Sequence, residues 1–205
     1  MPKQQPPAAG PIKRGSWTLL GAREIYDNPW IKLTEHKVLN PRGGPGIYGV
    51  VHMKSRALGV IPVAADGRII LVGQHRFSLD AYSWEIPEGG GALDVDPLVS
   101  ITRELQEETG LTAGNWAHLQ SFSLSNSVTD ERGHIYLAWN LTQGPASPEE
   151  TEDLQLKWVS FHQALDMALS GEIHDIMTQT GLFQLEVLRR RGTLPDGFDP
   201  HLLDD

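Results

Sequence analysis

The 205-residue chain contains no cysteine. That absence excludes disulfide bridges, thiolate zinc sites and a cysteine nucleophile, and it favours a reducing compartment, so we expect a cytoplasmic protein. The chain also lacks any apolar run near the roughly 20 residues that span a bilayer. Its first residues lack the apolar segment of a signal peptide. The sequence therefore predicts no association with a membrane.

Positive charge is scarce, because 17 Lys and Arg stand against 26 Asp and Glu, giving a net charge of -9. Proteins that bind the phosphate backbone of nucleic acids usually carry a basic surface, so we expect no nucleic-acid partner. Hydrophobic residues make up 40% of the chain, which is enough to bury a core in a globular domain.

Changes of composition divide the chain into four parts. Residues 1–15 are rich in Pro, Gln and Ala and are expected to form a flexible tail. Residues 16–55 have the pattern of three strands without a helix. Such a meander lacks a core of its own, so we expect it to pack on the rest of the chain or to mediate dimerisation. Strands and helices mix in the main domain, residues 56–191, and residues 192–205 are expected to form an irregular tail.

Local signals place the elements of the main domain. The turn sequence Asp66-Gly67 predicts a hairpin between two apolar strands. Asp96 and Ser160 are residues that cap helix N-termini, and glycines follow the helical patterns that they begin. Three helices are predicted, over residues 97–109, 161–169 and 175–190.

A cluster of glutamates is the most informative feature. Glu104 and Glu108 are four residues apart on a predicted helix, so their carboxylates share one face, with Glu107 beside them. Like charges at this spacing repel unless a divalent cation lies between them, and oxygen ligands favour Mg²⁺ or Mn²⁺. Three glycines at residues 89–91 let the backbone carbonyls approach the same place. The sequence therefore predicts a site for a hard cation.

The segment from Gly89 to Leu111 resembles the signature box of Nudix hydrolases, Gly-x5-Glu-x7-Arg-Glu-apolar-x-Glu-Glu-x-Gly-apolar. Eight of the nine fixed positions match. The exception is Val95, where the family has Glu. In the family this first Glu is less central to the metal than the Arg-Glu-x-x-Glu-Glu core, so the resemblance implies altered support of the loop without loss of metal binding. Asp94 and Asp96 are the candidates to compensate.

The resemblance covers residues 16–190 and is closest to the ADP-ribose pyrophosphatase and nucleoside-diphosphate-sugar hydrolase branch. The segments that carry it are NPWIKLTEHKV, GQHRF, WEIPEGG and ALSGEIHDIMTQTGLFQL. The branch often has a proline after the box where this chain has Asn126, which favours a broad preference for sugar nucleotides. The implied fold is an α/β/α sandwich with a mixed sheet and an N-terminal antiparallel β extension, and the implied assembly is a homodimer.

The resemblance also implies the metal ligands. Glu104 and Glu108 would bind Mg²⁺ (or Mn²⁺) directly, and the backbone carbonyl of Glu88 would be a third ligand. Glu107 and Glu85 would contact the metal or its waters.

Substrate contacts are implied in the same way. Arg76 matches an arginine that contacts the diphosphate, which a guanidinium binds with two parallel hydrogen bonds. Aromatic residues of the meander, Trp30 and Tyr26 together with Trp17 and Tyr48, have faces that stack on a nucleobase. Packing in a subunit interface explains the same residues equally well.

The branch takes its general base from a mobile loop after the box. Glu150 in the acidic loop 147–153 aligns best, Glu152 is next, and Glu131 lies in another loop that approaches the site in relatives. The sequence leaves all three open.

The implied reaction is Mg²⁺-dependent hydrolysis of a nucleoside diphosphate sugar, such as ADP-ribose, to a nucleoside monophosphate and a sugar phosphate. A non-catalytic sugar-nucleotide sensor is one alternative, and the intact glutamate core counts against it. An enzyme acting on nucleoside triphosphates or capped RNA is another, and the acidic composition and the long N-terminal extension count against that.

Overall fold

The N-terminal strands form an antiparallel sheet in chain order. In the computed structural model, which describes residues 10–147 and 153–204, this sheet belongs to the first of two compact units. Its first strand lies within the stretch predicted to be a flexible tail, residues 1–15, of which residues 1–9 fall outside the described part. The strands are β1 (Ile12–Arg14), β2 (Trp17–Asp27), β3 (Ile31–Leu39) and β4 (Pro45–Met53).

Two asparagines shape the turns of this sheet. Asn28 Oδ1 accepts hydrogen bonds from the backbone N–H groups of Trp30 at 2.9 Å and Ile31 at 2.7 Å, between β2 and β3. Asn40 Oδ1 does the same for Arg42 and Gly44 between β3 and β4. A short side chain that bonds to the backbone just ahead of it stabilises a turn, which is why the chain reverses direction at these two asparagines.

Residues 123–132 complete the first unit, although they are distant from the sheet in sequence. The backbone N–H of Val51 donates to the carbonyl of Val128 at 2.8 Å. The hydroxyl of Tyr48 donates to the carbonyl of Ser127 at 2.6 Å, and the backbone N–H of Met53 donates to Asp130 Oδ1 at 3.0 Å. These bonds attach the segment to β4.

The second unit comprises residues 57–122 and 133–205 and contains two sheets and three helices in its described part. The strands are β5 (Ser55–Pro62), β6 (Ile69–Arg76), β7 (Ala81–Glu85), β8 (Glu88–Ala92), β9 (Leu111–Ser123), β10 (Arg132–Gln143) and β11 (Gln155–Val159). The helices are α1 (Pro97–Thr109), α2 (Phe161–Ser170) and α3 (Ile176–Arg191).

The predicted hairpin at Asp66-Gly67 forms only as a turn. The backbone N–H of Ala64 donates to the carbonyl of Arg68 at 2.8 Å and Gly67 has a φ of 83°, but in the described part of the chain the two strands are paired only by an isolated bridge between Val63 and Ile69. β5 pairs in parallel with β10 in a sheet of order β8-β5-β10-β9, whereas β6 lies in the antiparallel sheet β11-β6-β7. Both strands are apolar on two faces, so each is best placed inside a different sheet.

Successive side chains of β5 and β10 point alternately into two hydrophobic cores. One core joins Ile135 and Leu137 to residues of α2 and α3, including Phe161 and Leu182. The other core joins the intervening side chains of the same strands to α1. Because successive side chains of a strand point to opposite faces, helices cover both sides of the strands. The predicted α/β/α sandwich is confirmed.

Side-chain caps begin all three helices. Asp96 Oδ1 accepts from the N–H of Leu98 at 2.9 Å, and Ser160 Oγ accepts from Gln163 at 3.1 Å, as predicted. Asp175 Oδ2 accepts from Thr178 at 2.7 Å. Each cap satisfies a backbone donor that the first helical turn leaves unpaired. Among the described residues, no helix combines the length and apolarity needed to cross a membrane.

The C-terminal segment is more ordered than the sequence indicates. Residues Pro200–Leu203 form a 3₁₀ helix, and the side chains of Phe198 and Leu203 are buried in the core below α2 and α3. Phe198 packs edge-to-face on Trp139 with 5.5 Å between ring centroids. Apolar side chains in a polar stretch thus dock a segment that composition alone predicts to be irregular, since Leu194 and Leu202 also pack against this core.

Candidate active site

Arg76, the last residue of β6, holds two buried carboxylates. Its Nε donates to both carboxylate oxygens of Glu85, at 3.0 and 3.1 Å, and its Nη2 donates to Glu88 Oε1 at 2.7 Å. Glu85 ends β7 and Glu88 begins β8, and their side chains are only 4% and 9% exposed. A single guanidinium thus compensates two acidic groups that have little access to water.

The surroundings separate the pKa values of the two carboxylates. Burial acts to raise the pKa of Glu85, but the hydrogen bond and charge of Arg76 outweigh it and the pKa is lowered. Burial, followed by the charges of Asp175 and Glu85, raises the pKa of Glu88 well above its usual value. Burial opposes the charge of Arg76, yet its hydrogen bonds to Glu85 raise the pKa of the guanidinium. Glu88 therefore keeps its proton to a higher pH than Glu85 does.

Asp175 completes a group of three carboxylates. One carboxylate oxygen each from Glu85, Glu88 and Asp175 lie within 4.8 Å of one another. Glu88 Oε2 is buried and has no hydrogen-bond partner within the described part of the chain. Three oxygen donors, one of them unsatisfied, match the ligands that Mg²⁺ and Mn²⁺ take in proteins. Asp175 was not among the predicted site residues, although it ends the segment GEIHD, which resembles the family.

The glycine loop runs directly against the glutamates of α1. The backbone N–H of Glu88 donates to Glu108 Oε2 at 3.2 Å, and Glu108 is 3% exposed. A Cβ at Gly89 would lie 2.4 Å from Cδ of Glu104, so only glycine leaves room for that carboxylate. The structure thus brings Glu88, Gly89, Glu104 and Glu108 together, as the spacing predicts.

Arg103 and Glu107 occupy the outer part of α1. The Arg103 guanidinium contacts both Glu107, four residues later, and Glu104. Glu107 is 30% exposed, compared with 12% for the side chain of Glu104. Asp96, one of the two carboxylates that flank Val95, caps α1. Its side chain therefore serves the helix that carries the glutamates.

The other predicted site residues belong to the first unit or fall outside the described part. Trp30 and Tyr26 belong to the first unit and are 72% and 53% exposed. Glu131 is a half-buried residue of the same unit, and burial raises its pKa. Glu150 and Glu152 fall outside the described residues. The assignment of the general base stays a prediction.

The first unit contains a pocket of about 260 Å³ between its sheet and residues 126–130. Trp17 and Tyr48 line it as an edge-to-face pair with 5.3 Å between ring centroids. His36 also lines it, and both of its ring nitrogens are buried without a partner among the described residues. Trp30 and Tyr26 do not line this pocket, so the aromatic residues of the meander divide into two sets.

Comparison with known proteins identifies the family. A model of the NUDIX domain matches residues 53–179, more than half of the chain. The chain belongs to the Nudix family. A second model, described as the nucleoside diphosphate sugar hydrolase N-terminal domain, matches residues 17–51 of this Nudix protein. The family predicted from the glutamate box is confirmed.

Similar proteins cover most of the Nudix chain. It is 32% identical over 170 residues to the ADP-ribose pyrophosphatase of Bacillus subtilis, covering 82% of this chain and 91% of that protein. It is 31% identical over 170 residues to CMP-5'-(N-acetyl-N-hydroxy-3-aminopropyl)phosphonate hydrolase of Streptomyces rubellomurinus, covering 81% and 80%. A crystal structure of an ADP compounds hydrolase has the same fold, with a TM-score of 0.78 and 18% identity over 89% of this chain and 100% of that one. The chain is a Nudix pyrophosphohydrolase.

Proposed function

We propose that this Nudix pyrophosphohydrolase cleaves the diphosphate bond of nucleoside diphosphate sugars, ADP-ribose or a related compound. The products would be a nucleoside monophosphate and a sugar phosphate. The observation that carries the proposal is the buried carboxylate site at the glycine loop, where Glu108 accepts from the backbone of Glu88. The N-terminal family match and the names of the relatives support a sugar nucleotide as substrate.

The residues present fit Mg²⁺ or Mn²⁺. Glu104, Glu108 and the backbone carbonyl of Glu88 would hold the cation, with Glu85 and Glu107 contacting it or its waters. The space that Gly89 leaves beside Glu104 favours this arrangement. A bound cation neutralises charge on the diphosphate and lowers the pKa of a coordinated water.

Arg76 is suited to orient the diphosphate. Its guanidinium stays charged at any physiological pH, and its side chain is 35% exposed, so part of the planar fork remains accessible. Glu85 and Glu88 fix its position through hydrogen bonds before substrate arrives. Preorganised donors stabilise the charge that develops on phosphoryl oxygens during in-line attack.

The proton of the attacking water would pass to a loop carboxylate, for which we propose Glu150, with Glu152 and Glu131 as the alternatives. Replacement of the true base by Gln should lower kcat by about 10²–10⁴-fold and change KM much less. Steady-state kinetics of the three Glu→Gln variants rank them. A larger loss for Glu152 or Glu131 than for Glu150 would show that our choice is wrong.

The first unit is proposed to serve substrate binding and assembly. Trp30 and Tyr26 present exposed rings that either stack on the base or pack in the interface of a homodimer. We propose that the protein is a cytoplasmic homodimer with a main domain at residues 56–191. Light scattering of the protein lacking residues 1–55 tests the assembly, because an active truncated monomer contradicts it.

The decisive experiment measures Mg²⁺-dependent phosphate release from a panel of sugar nucleotides, with a phosphatase as the coupling enzyme. Glu108→Gln should keep the fold and lose activity by about 10³-fold or more, because the metal-stabilised transition state loses a charge partner. Glu172→Gln, which changes an exposed glutamate, is the matched control.

If the turnover of Glu108→Gln is within about threefold of wild type, the assignment of Glu108 as a metal ligand is wrong. Preferential hydrolysis of nucleoside triphosphates or capped RNA over the sugar nucleotides of the panel would show that the proposed substrate class is wrong. Tight binding of a sugar nucleotide without hydrolysis would favour the sensor.

A further inference from the structure

Two histidines and a serine converge on neighbouring strands of the second unit. His118 and Ser121 lie on β9, and His134 lies on β10. The strands are adjacent in the sheet of order β8-β5-β10-β9. His118 and Ser121 are exposed and His134 is half-buried, so the group is open to small solutes. None of the three is a residue of the carboxylate site.

The three polar atoms form a small triangle. Ser121 Oγ lies 3.0 Å from His118 Nε2 and 3.0 Å from His134 Nδ1, and the two nitrogens are 3.4 Å apart. The rings are tilted by 59° to each other, and both nitrogens face the same hydroxyl because each lies within hydrogen-bond distance of Ser121 Oγ. The ring of His118 is held edge-on by Tyr136 with 5.4 Å between centroids. The arrangement is therefore fixed by packing as well as by the hydroxyl.

The separation of the nitrogens equals the spacing of two imidazole ligands on zinc. A Zn–N bond is about 2.0–2.1 Å long, and the tetrahedral angle of about 109° then places two nitrogens about 3.4 Å apart. We propose that His118 Nε2 and His134 Nδ1 bind one Zn²⁺ ion in place of their hydrogen bonds to the Ser121 hydroxyl, with two water molecules completing the tetrahedron. Imidazole nitrogen favours Zn²⁺ over Mg²⁺, whereas the carboxylate site favours Mg²⁺.

The test uses the intact protein and Zn²⁺ itself. Calorimetric titration with Zn²⁺ is done in excess Mg²⁺, which occupies carboxylate sites. Wild type should bind one equivalent of Zn²⁺, and His118→Gln and His134→Gln should each weaken that binding by about tenfold or more. His162→Gln, which removes an imidazole from α2, is the control and should bind as wild type does.

Equal Zn²⁺ binding by wild type and the double variant His118→Gln/His134→Gln would overturn the proposal. A second measurement does not depend on whether the variants fold. In the wild-type protein, one equivalent of Zn²⁺ should shift the ring-proton NMR signals of these two histidines together. Unchanged signals of both rings would also overturn it. Neither measurement uses hydrolysis, so the result is independent of the proposed function.

Discussion

Gly89→Ala tests whether the glycine loop positions the carboxylate of Glu104. The added Cβ would lie 2.4 Å from Cδ, 2.6 Å from Oε2 and 2.7 Å from Cγ of Glu104. Normal van der Waals contact needs about 3.5 Å, so the carboxylate must move by about 1 Å. The side chain of Glu104 is flexible and 12% exposed, so we expect the strain on folding to stay near the low end of the usual 1–3 kcal/mol for overpacking.

Catalysis should be far more sensitive than stability. A displacement of about 1 Å in a positioning group costs about 10²-fold in rate, whereas about 1 kcal/mol lowers the Tm of a chain of this size by about 2–4 °C. We therefore expect Gly89→Ala to lose at least about 10²-fold in kcat/KM and to keep a near-normal Tm. Mg²⁺ should raise the Tm of the variant less than that of wild type, because a weaker site contributes less to the folded state.

The matched control is Gly114→Ala in β9, where the new Cβ would meet Asn140 Cβ at an ordinary 3.4 Å. Both variants are assayed for turnover and for thermal unfolding with and without Mg²⁺. Turnover of Gly89→Ala within about threefold of wild type would refute the reasoning, since it would mean that Glu104 tolerates the displacement. Equal losses in the two variants would point to a general effect of glycine replacement instead.

Three further predictions concern stability. With a chelator present, the free energy of unfolding should fall as the pH rises above 4.5, because the folded protein keeps the proton of Glu88 to a higher pH than the unfolded chain does. Chemical denaturation at several pH values measures this slope, and Glu88→Gln should flatten it. Phe198→Ala should cost about 3–5 kcal/mol, seen as a lower denaturation midpoint, whereas a small effect would show that the C-terminal segment is dispensable. Thr178→Val should cost about 1–3 kcal/mol because the buried N–H of Ile86 loses its acceptor, and Thr178→Ser, which keeps the hydroxyl, should restore most of it in the same assay.

Local chemistry explains which parts of the fold were predictable. Asp96 and Ser160 cap helices because the acceptor and the donor are two or three residues apart, so tertiary structure is not needed to bring them together. The hairpin at Asp66-Gly67 failed for the opposite reason. The turn is local, but the strand that pairs with β5 is β10, and short-range sequence patterns hold no information about that choice.

The carboxylate site shows the same division. Glu104 and Glu108 follow from helical spacing, and the nearness of Gly89 follows from the glycine run. The nearness of Asp175 to Glu85 and Glu88 does not, because three separate elements must dock to bring these groups within 4.8 Å. The sequence also does not show how far the Glu88 carboxylate is buried from water, so its raised pKa can be found only from the structure.

The parallel pairing of β5 with β10 dictates an order of events during synthesis. Residues 57–62 leave the ribosome well before their partners, residues 133–138, and the glutamate helix is made in the interval. Until β10 arrives, an apolar strand whose residues 58–62 become buried in the native protein has an unpaired edge. Closure over so long a loop is slow and leaves that edge open to other chains. The edge of β5 is therefore expected to stay exposed to other chains until residue 138 has emerged.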